Sequence, residues 1–347
     1  MNQSQNSDQS LAGQAEQAAT PRYSFVADDG PLGGRFEWSS ACRLLVEEQD
    51  RLYKNYWSQN AAEQTRCREW VGAITAQHPD FLEGLLAKAD TLYFPDGSSV
   101  VRRKLKIYAE AIERAEALIP PDFKGRISWS CTENQFFLRL LYADMVLNLL
   151  QGSLRRALKM ARRQLRLNPD DNLGVRYFLP LLLMTTWQFD AAFNALERIE
   201  QDMETDGGAY FVSSLLYGID GDYGAALQDF LHALFLYPPL RDVVARQDEH
   251  FEPIHQSRLR RISPDPATLA QQYVLALGCA PQLDKLFKAL LCQPCVRYAE
   301  VALEKTFHRN PKQWIAELEE AALKMVDELA NLTQDPPSGG THSVTLH

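Results

Sequence analysis

The sequence has no long apolar run and none of the common catalytic motifs. Its longest nearly apolar stretch, residues 178–184, has seven residues and contains Pro180, whereas a helix needs about 20 apolar residues to span a bilayer. The sequence contains no phosphate-binding glycine loop, no H-E-x-x-H zinc motif and no G-x-S-x-G hydrolase motif. We therefore expect a protein that is not embedded in a membrane, is not an enzyme and uses no cofactor.

Secretion signals and paired metal ligands are also missing. No apolar stretch follows Met1, which predicts a cytoplasmic protein with reduced thiols. Cys292 and Cys295 form the one C-x-x-C pair, with Cys279 upstream and His308 downstream. These four residues have ligand types that suit zinc, but structural zinc sites usually contain two short ligand pairs. We therefore favour packed free thiols and expect no metal site.

Strand signals are scarce, because the sequence shows neither sustained apolar alternation nor Asn-Gly turns. Between residues 35 and 333 the apolar residues instead follow a helical period. Proline ends each apolar run and begins the next, because it lacks an amide hydrogen and is tolerated in the first turn of a helix. The breaks fall at Pro79, Pro120, Pro169, Pro238, Pro281 and Pro311. This pattern predicts an all-α fold of short antiparallel helices.

Composition divides the chain into six parts. Residues 1–34 are rich in glutamine and include Gly33 and Gly34, and residues 334–347 are also of low complexity, so we expect both ends to be disordered. Between them we expect a helical region with degenerate repeats at 35–125 and three repeat units at 126–240. An irregular connection at 241–266 and C-terminal helices with a cap at 267–333 complete the prediction.

A repeat of 34 to 35 residues lies in the middle of the chain. Segments 152–158, 187–193 and 221–227 align as a turn followed by a helix, and Ala157, Ala192 and Ala226 are spaced 35 and 34 residues apart. Pro169 and Pro238 are separated by two such periods. A small residue at this position lets two helices cross closely. The spacing predicts three helix pairs that recur in phase.

These units resemble the tetratricopeptide repeat family. The motif residues are Gly152, Ala157, Ala161 and Pro169 in the first unit, Ala192 and Leu196 in the second, and Tyr210, Tyr217, Ala226, Phe230, Ala233 and Pro238 in the third. Residues 166–180 are also similar to a stretch of bacterial repeat proteins related to the suppression-of-tumorigenicity-seven group. The resemblance implies a right-handed α-solenoid of antiparallel helix pairs with a C-terminal capping helix.

The resemblance also implies a concave face, formed by the first helix of each unit, that binds a peptide or helix of another protein. The candidate groove residues form an aromatic and aliphatic stripe: Tyr142, Val146, Tyr177, Leu181, Phe211 and Leu215. Two interpretations remain open for this stripe. It is either a groove for an apolar partner segment, or it is filled by the chain's own segments, such as residues 35–60 or the helix around Trp314.

The leading functional prediction is a non-enzymatic scaffold for protein–protein interaction. The net charge of −9 argues against general nucleic-acid binding. Residues 153–166 nevertheless carry six positive charges and no acid, and we define the basic stripe as Arg155, Lys159, Arg162, Arg163 and Arg166. An accessory protein that binds nucleic acid or phosphate through this stripe is the alternative. A solvated helix face is the simpler interpretation, because no aromatic residues are interleaved for base stacking.

Overall fold

The structure is a computed structural model that describes residues 23–28, 30, 33–56, 60–92, 98–200, 207–237, 239–245, 266–309, 317, 320 and 324. Within these residues it contains fourteen α-helices and two strands of four residues each. The predicted all-α class is therefore confirmed. The chain divides into two compact units, Met1–Val175 (unit 1) and Arg176–His347 (unit 2), and we describe each by itself.

Unit 1 consists of a β-hairpin and six helices, each of which packs against the next. Helix α3 is the interior helix, with eight of its ten residues buried. A short 3-10 turn, Thr132–Asn134, precedes α5. In chain order the elements are β1 Tyr23–Val26, β2 Arg35–Trp38, α1 Ser40–Tyr56, α2 Ala61–Gln77, α3 Leu82–Thr91, α4 Ser98–Leu118, α5 Gln135–Leu150 and α6 Leu154–Leu167.

The prediction of a disordered arm at 1–34 is wrong for its last part. Strand β1 pairs antiparallel with β2, and Phe25 lies opposite Phe36. The Phe36 ring is fully packed, 5.0 Å from the ring of Phe136 and 5.4 Å from that of Phe137 in α5. Composition predicted disorder for this segment, but a few aromatic residues bury enough apolar surface to order it. Residues 1–22 of the predicted arm lie outside the described residues.

The hairpin is attached to the rest of unit 1 by a buried amide. The Asn134 side-chain oxygen accepts a hydrogen bond of 2.9 Å from the Phe36 backbone N–H. Its amide nitrogen donates to the carbonyl oxygens of Gly34, at 3.2 Å, and Ser128, at 2.9 Å. A buried backbone group without a hydrogen-bond partner is costly. The Asn134 side chain provides a partner for three such groups, the Phe36 N–H and the carbonyls of Gly34 and Ser128.

Gly33 and Gly34 have packing reasons for lacking a side chain. Gly33 has φ of +68°, and a Cβ atom there would lie 2.1 Å from the carbonyl oxygen of Arg126. A Cβ atom on Gly34 would lie 2.3 Å from a ring carbon of Phe25. The glycines that suggested disorder therefore allow the hairpin to approach residues 126–127, where Gly33 forms an isolated bridge with Ile127.

Unit 2 is helical throughout its described residues. Its core contains the rings of Phe230 and Phe287, which stack at 4.1 Å with an angle of 7° between their planes. Pro180 lies in the first turn of α7, so it interrupts no helical hydrogen bond. The elements are α7 Leu179–Thr185, α8 Phe189–Glu200, α9 Gly207–Asp220, α10 Tyr223–Leu236, α11 Leu240–Ala245, α12 Pro266–Cys279, α13 Gln282–Leu291 and α14 Pro294–Arg309.

Three helix–turn–helix segments have the same backbone geometry in the predicted register. The pairs are α5 with α6, α7 with α8, and α9 with α10, and the two helices of each pair pack against each other. Each turn contains one residue in the left-handed region, spaced 35 and 34 residues apart: Gly152 (φ +70°), Trp187 (φ +64°) and Gly221 (φ +96°). The next residue in each turn donates its N–H to the carbonyl five residues earlier, at 2.8, 2.9 and 2.9 Å.

The three aligned alanines occupy equivalent positions. Ala157, Ala192 and Ala226 are each the fourth residue of the second helix and are fully buried. Each donates its N–H to the carbonyl of the residue just after the left-handed position, at 3.0, 2.9 and 3.0 Å. The sequence repeat is therefore a repeat of turn geometry and burial.

A second recurring geometry ends helices at the x-Pro breaks. His78, Asn168 and Tyr237 terminate α2, α6 and α10 with similar backbone angles, φ between −136° and −127° and ψ between 73° and 80°. Each donates its N–H to the carbonyl four residues earlier and accepts from the amide three residues later. The φ values lie in the range that a following proline favours, whereas the ψ values fall below the usual range of about 120° to 160°. The predicted tail at 334–347 and most of the predicted connection, residues 246–265, lie outside the described residues.

Candidate functional site

The predicted groove is largely interior. Val146 is 5% exposed, and Leu181, Phe211 and Leu215 are 0% exposed, so of the two interpretations left open for the stripe, these four positions fit the one in which the chain fills it. Tyr142 and Tyr177 are half-buried, and Tyr177 packs against Ile199 and Ala209 of unit 2. Side chains without accessible surface cannot contact a partner unless the helices repack.

The chain's own C-terminal helices cover the stripe in unit 2. The Phe211 ring in α9 lies 6.0 Å from the ring of Tyr273 in α12 and 6.3 Å from that of Phe230 in α10. Phe287 of α13 then stacks on Phe230. At Phe211 the stripe is therefore filled by an internal segment. That segment is α12 rather than residues 35–60, and Trp314 lies outside the described residues.

The basic stripe is at the surface of α6. The apolar side of this helix, with Ala157, Leu158, Ala161 and Leu167, is buried, which fixes the orientation of the opposite side. Arg155, Lys159, Arg162 and Arg166 are exposed, whereas Arg163 is half-buried. We call the four exposed residues the basic row.

The cations beside the basic row are paired within the chain. Arg163 forms an ion pair with Glu116 of α4, and its guanidinium lies 6.0 Å from the centre of the Phe137 ring. Arg156 is 3.3 Å from the carboxylate of Asp144, whose side chain is nearly inaccessible. The pKa of Asp144 is raised because burial disfavours its charge, although Arg156 opposes the shift. These two arginines compensate acids of unit 1.

The basic row itself is straight and largely unpaired. Its residues are spaced by four, three and four positions, so they share one side of the helix over about 17 Å at a rise of 1.5 Å per residue. Within the described residues, Arg155, Lys159 and Arg166 have no acidic oxygen within 4.0 Å. At the C-terminal end of α6, the Leu167 carbonyl accepts a hydrogen bond of 2.7 Å from the Ile127 N–H.

The candidate zinc residues do not form a site in the part of the chain that is described. That part contains no group of three or more His, Cys, Asp or Glu side chains arranged to hold a metal. Cys279 and Cys292 are exposed, Cys295 is half-buried, and the side chain of His308 lies outside the described residues. Burial raises the pKa of the Cys279 thiol.

Sequence reasoning missed two acids of α3, Glu83, which is buried, and Asp90, which is half-buried. Burial raises the pKa of Glu83 to about 7 and that of Asp90 to about 6, while Arg139 acts in the opposite direction on both. Asp90 accepts a hydrogen bond of 2.9 Å from the Tyr108 hydroxyl. Acidic side chains are rarely buried in proteins, so the residue type gave no signal of their burial.

The sequence interpretation also did not single out Trp187, whose exposure and backbone conformation are both unusual. It is 82% exposed and has the left-handed backbone that Gly152 and Gly221 adopt in the other two turns. Its main ring neighbour is Phe189, 5.8 Å away in an edge-to-face arrangement. The signal was available, since position 187 aligns with glycine in the other two units. A non-glycine residue in this region is strained by about 1–2 kcal/mol.

Comparison with known proteins yields little. No family model matches the chain, and no curated protein matches it. Among solved structures, BtubC (BKLC) from P. vanneervenii is 15% identical, with a TM-score of 0.35 over 82% of this chain and 95% of that chain. Similarity at this level supports no functional argument. Over the described residues, every helix is too short or too polar to cross a membrane.

Proposed function

We propose that this chain is a non-enzymatic scaffold of the tetratricopeptide repeat type that binds a segment of another protein in the cytoplasm. The observation that carries the proposal is the in-phase recurrence of three turns, each with one left-handed residue and the same i to i−5 hydrogen bond. Repeated helix pairs of this kind stack into α-solenoids, whose extended surfaces commonly bind peptides or helices. A right-handed solenoid with a terminal capping helix is part of the proposal.

The binding surface in this proposal differs from the stripe expected from the sequence. Because Val146, Leu181, Phe211 and Leu215 are interior, the partner contacts exposed side chains instead. Two surfaces carry unusual exposed chemistry, namely the basic row on α6 and the Trp187–Phe189 pair at the turn before α8. Aromatic residues and arginine are the side chains most enriched at protein interfaces.

Site-specific photo-crosslinking in the native cell tests the proposal. A photoreactive amino acid replaces Lys159 or Trp187 in the full chain, and the exposed Glu69 of α2 serves as the control position. We expect one protein to be captured at position 159 or 187 and not at 69, as judged by mass spectrometry. Equal capture at all three positions, or none at 159 and 187, contradicts the scaffold proposal.

A further inference from the structure

Helix α6 presents positive charges that unit 1 does not use. The chain's own acids pair with the two flanking arginines, Glu116 with Arg163 and Asp144 with Arg156. Arg155, Lys159 and Arg166 of the basic row are exposed and have no acidic neighbour within 4.0 Å in the described part of the chain. The charges of these three residues are therefore available for an interaction outside unit 1.

The spacing of the row matches a second helix. Steps of four, three and four residues average 3.7 and follow one seam of an α-helix, the same i, i+4, i+7, i+11 pattern that lies along the contact line of two packed helices. A partner helix with acids at this spacing places a carboxylate opposite each cation, because both helices rise 1.5 Å per residue. Flexible or curved ligands lack this register.

We propose that α6 docks an acidic α-helix of a partner protein, which lies alongside the basic row with its carboxylates facing Arg155, Lys159 and Arg166. This assignment rests on the proposed scaffold function and names the class of segment that is bound. Exposed charge pairs each contribute little, so the affinity comes from several pairs acting together and depends on the salt concentration.

The surroundings of the row favour a protein helix over a nucleic acid. In the described part of unit 1, the exposed large hydrophobic residues are Leu44 and Leu150, so no exposed aromatic ring offers a base-stacking platform. The net charge of −9 also repels a long polyanion that extends beyond the row. A short acidic helix presents its charge only where the cations lie.

Direct binding measurements with the full chain test the proposal. The probe is a helical peptide of about 18 residues with glutamates at i, i+4, i+7 and i+11, and its control has the same composition with the glutamates distributed around the helix. We expect the in-register peptide to bind at least about tenfold more tightly at low salt, and this advantage to shrink as salt rises from about 0.05 to about 0.3 M.

Two charge-reversal variants identify the surface. K159E/R166E changes the row, and R102E/K106E makes the same change in charge at exposed positions of α4. We expect the first variant to lose at least about tenfold in affinity for the in-register peptide and the second to change it by less than about twofold. R155Q/R166Q, which introduces no new charge, is a second variant with the same expected direction.

Three outcomes overturn the proposal. These are equal binding of the two peptides, equal losses in the α6 and α4 variants, and tighter binding of a single-stranded or duplex oligonucleotide than of the in-register peptide. If the crosslinking experiment captures a partner at position 187 while the peptide fails to bind, the α6 assignment is wrong and the scaffold function stands.

Discussion

The two units organise their cores with different chemistry. Unit 1 holds its hairpin through the three hydrogen bonds of Asn134 and buries the carboxyl groups of Glu83 and Asp90 in α3. The described core of unit 2 is instead built around stacked rings, with Phe230 and Phe287 at 4.1 Å. The comparison indicates that unit 1 depends on hydrogen-bond geometry and pH, whereas unit 2 depends on filled volume.

The largest expected effect is on the aromatic core of unit 2. Phe287→Ala removes a fully buried ring that contacts Phe230 and Tyr273, and large-to-small changes of this kind cost about 4 kcal/mol. Hydrogen exchange followed by mass spectrometry should show faster exchange in α9, α10, α12 and α13. Phe287→Leu, the control, should lose far less protection. Equal losses in units 1 and 2 would contradict the view that this core belongs to unit 2.

The corresponding test in unit 1 removes a polar side chain instead of a ring. Asn134→Ala leaves the Phe36 N–H and the carbonyls of Gly34 and Ser128 without their partner, which we expect to cost about 3 kcal/mol. Exchange in residues 33–38 should accelerate most. Asn148→Ala, which removes one side-chain bond to the Asp144 carbonyl, is the matched control and should cost about 1 kcal/mol. An unchanged hairpin in the Asn134 variant argues against this attachment.

The stability of unit 1 should also depend on pH. Because the pKa values of Glu83 and Asp90 are raised in the folded state to about 7 and about 6, folded unit 1 binds protons that the unfolded chain does not. Its free energy of unfolding should therefore increase by about 3 kcal/mol as the pH falls from 8 to 5.5.

Substitution of one acid isolates this effect. Glu83→Gln should remove about 2 kcal/mol of the pH dependence and stabilise unit 1 at pH 8, as measured by hydrogen exchange in α3 at several pH values. A flat pH profile for unit 1, or a profile of the Glu83→Gln variant as steep as that of the unchanged chain, refutes the assignment to Glu83.

The smallest expected effect concerns the turn at Trp187, which has a non-glycine residue where the two aligned turns have Gly152 and Gly221. Trp187→Gly should stabilise unit 2 by about 1 kcal/mol, because glycine adopts the left-handed backbone without strain. Trp187→Ala is the control, since it removes the same ring but keeps the Cβ atom and the strain. Thermal unfolding of both variants distinguishes them, and equal midpoints would show that the backbone is not the cause.

The sequence predicted the parts of the fold that depend on local spacing. Ala157, Ala192 and Ala226 were found in equivalent positions because close helix crossings need a small residue at a fixed distance from the turn. The exposure of Arg155 and Lys159 likewise follows from the helical period of α6. Patterns that a short segment contains can be read without knowledge of its neighbours.

Features that depend on distant neighbours could not be predicted in this way. Gly33 indicated disorder, but its small size is required by the carbonyl of Arg126, which lies far along the chain. Phe211 followed the groove periodicity, yet Tyr273 of α12 covers it. Glu83 resembled a surface acid, although it is buried in α3. In each case the deciding contact comes from a residue that local periodicity does not reveal.

The attachment of the hairpin has a consequence for biosynthesis. Phe36 and its hydrogen-bond acceptor Asn134 are 98 residues apart, so the hairpin emerges from the ribosome well before its anchor exists. At translation rates of about 5–20 residues per second, this interval is about 5–20 s. During that time Tyr23 and Phe36 lack the α5 rings that cover them in the folded unit, so their apolar surface stays exposed on the nascent chain.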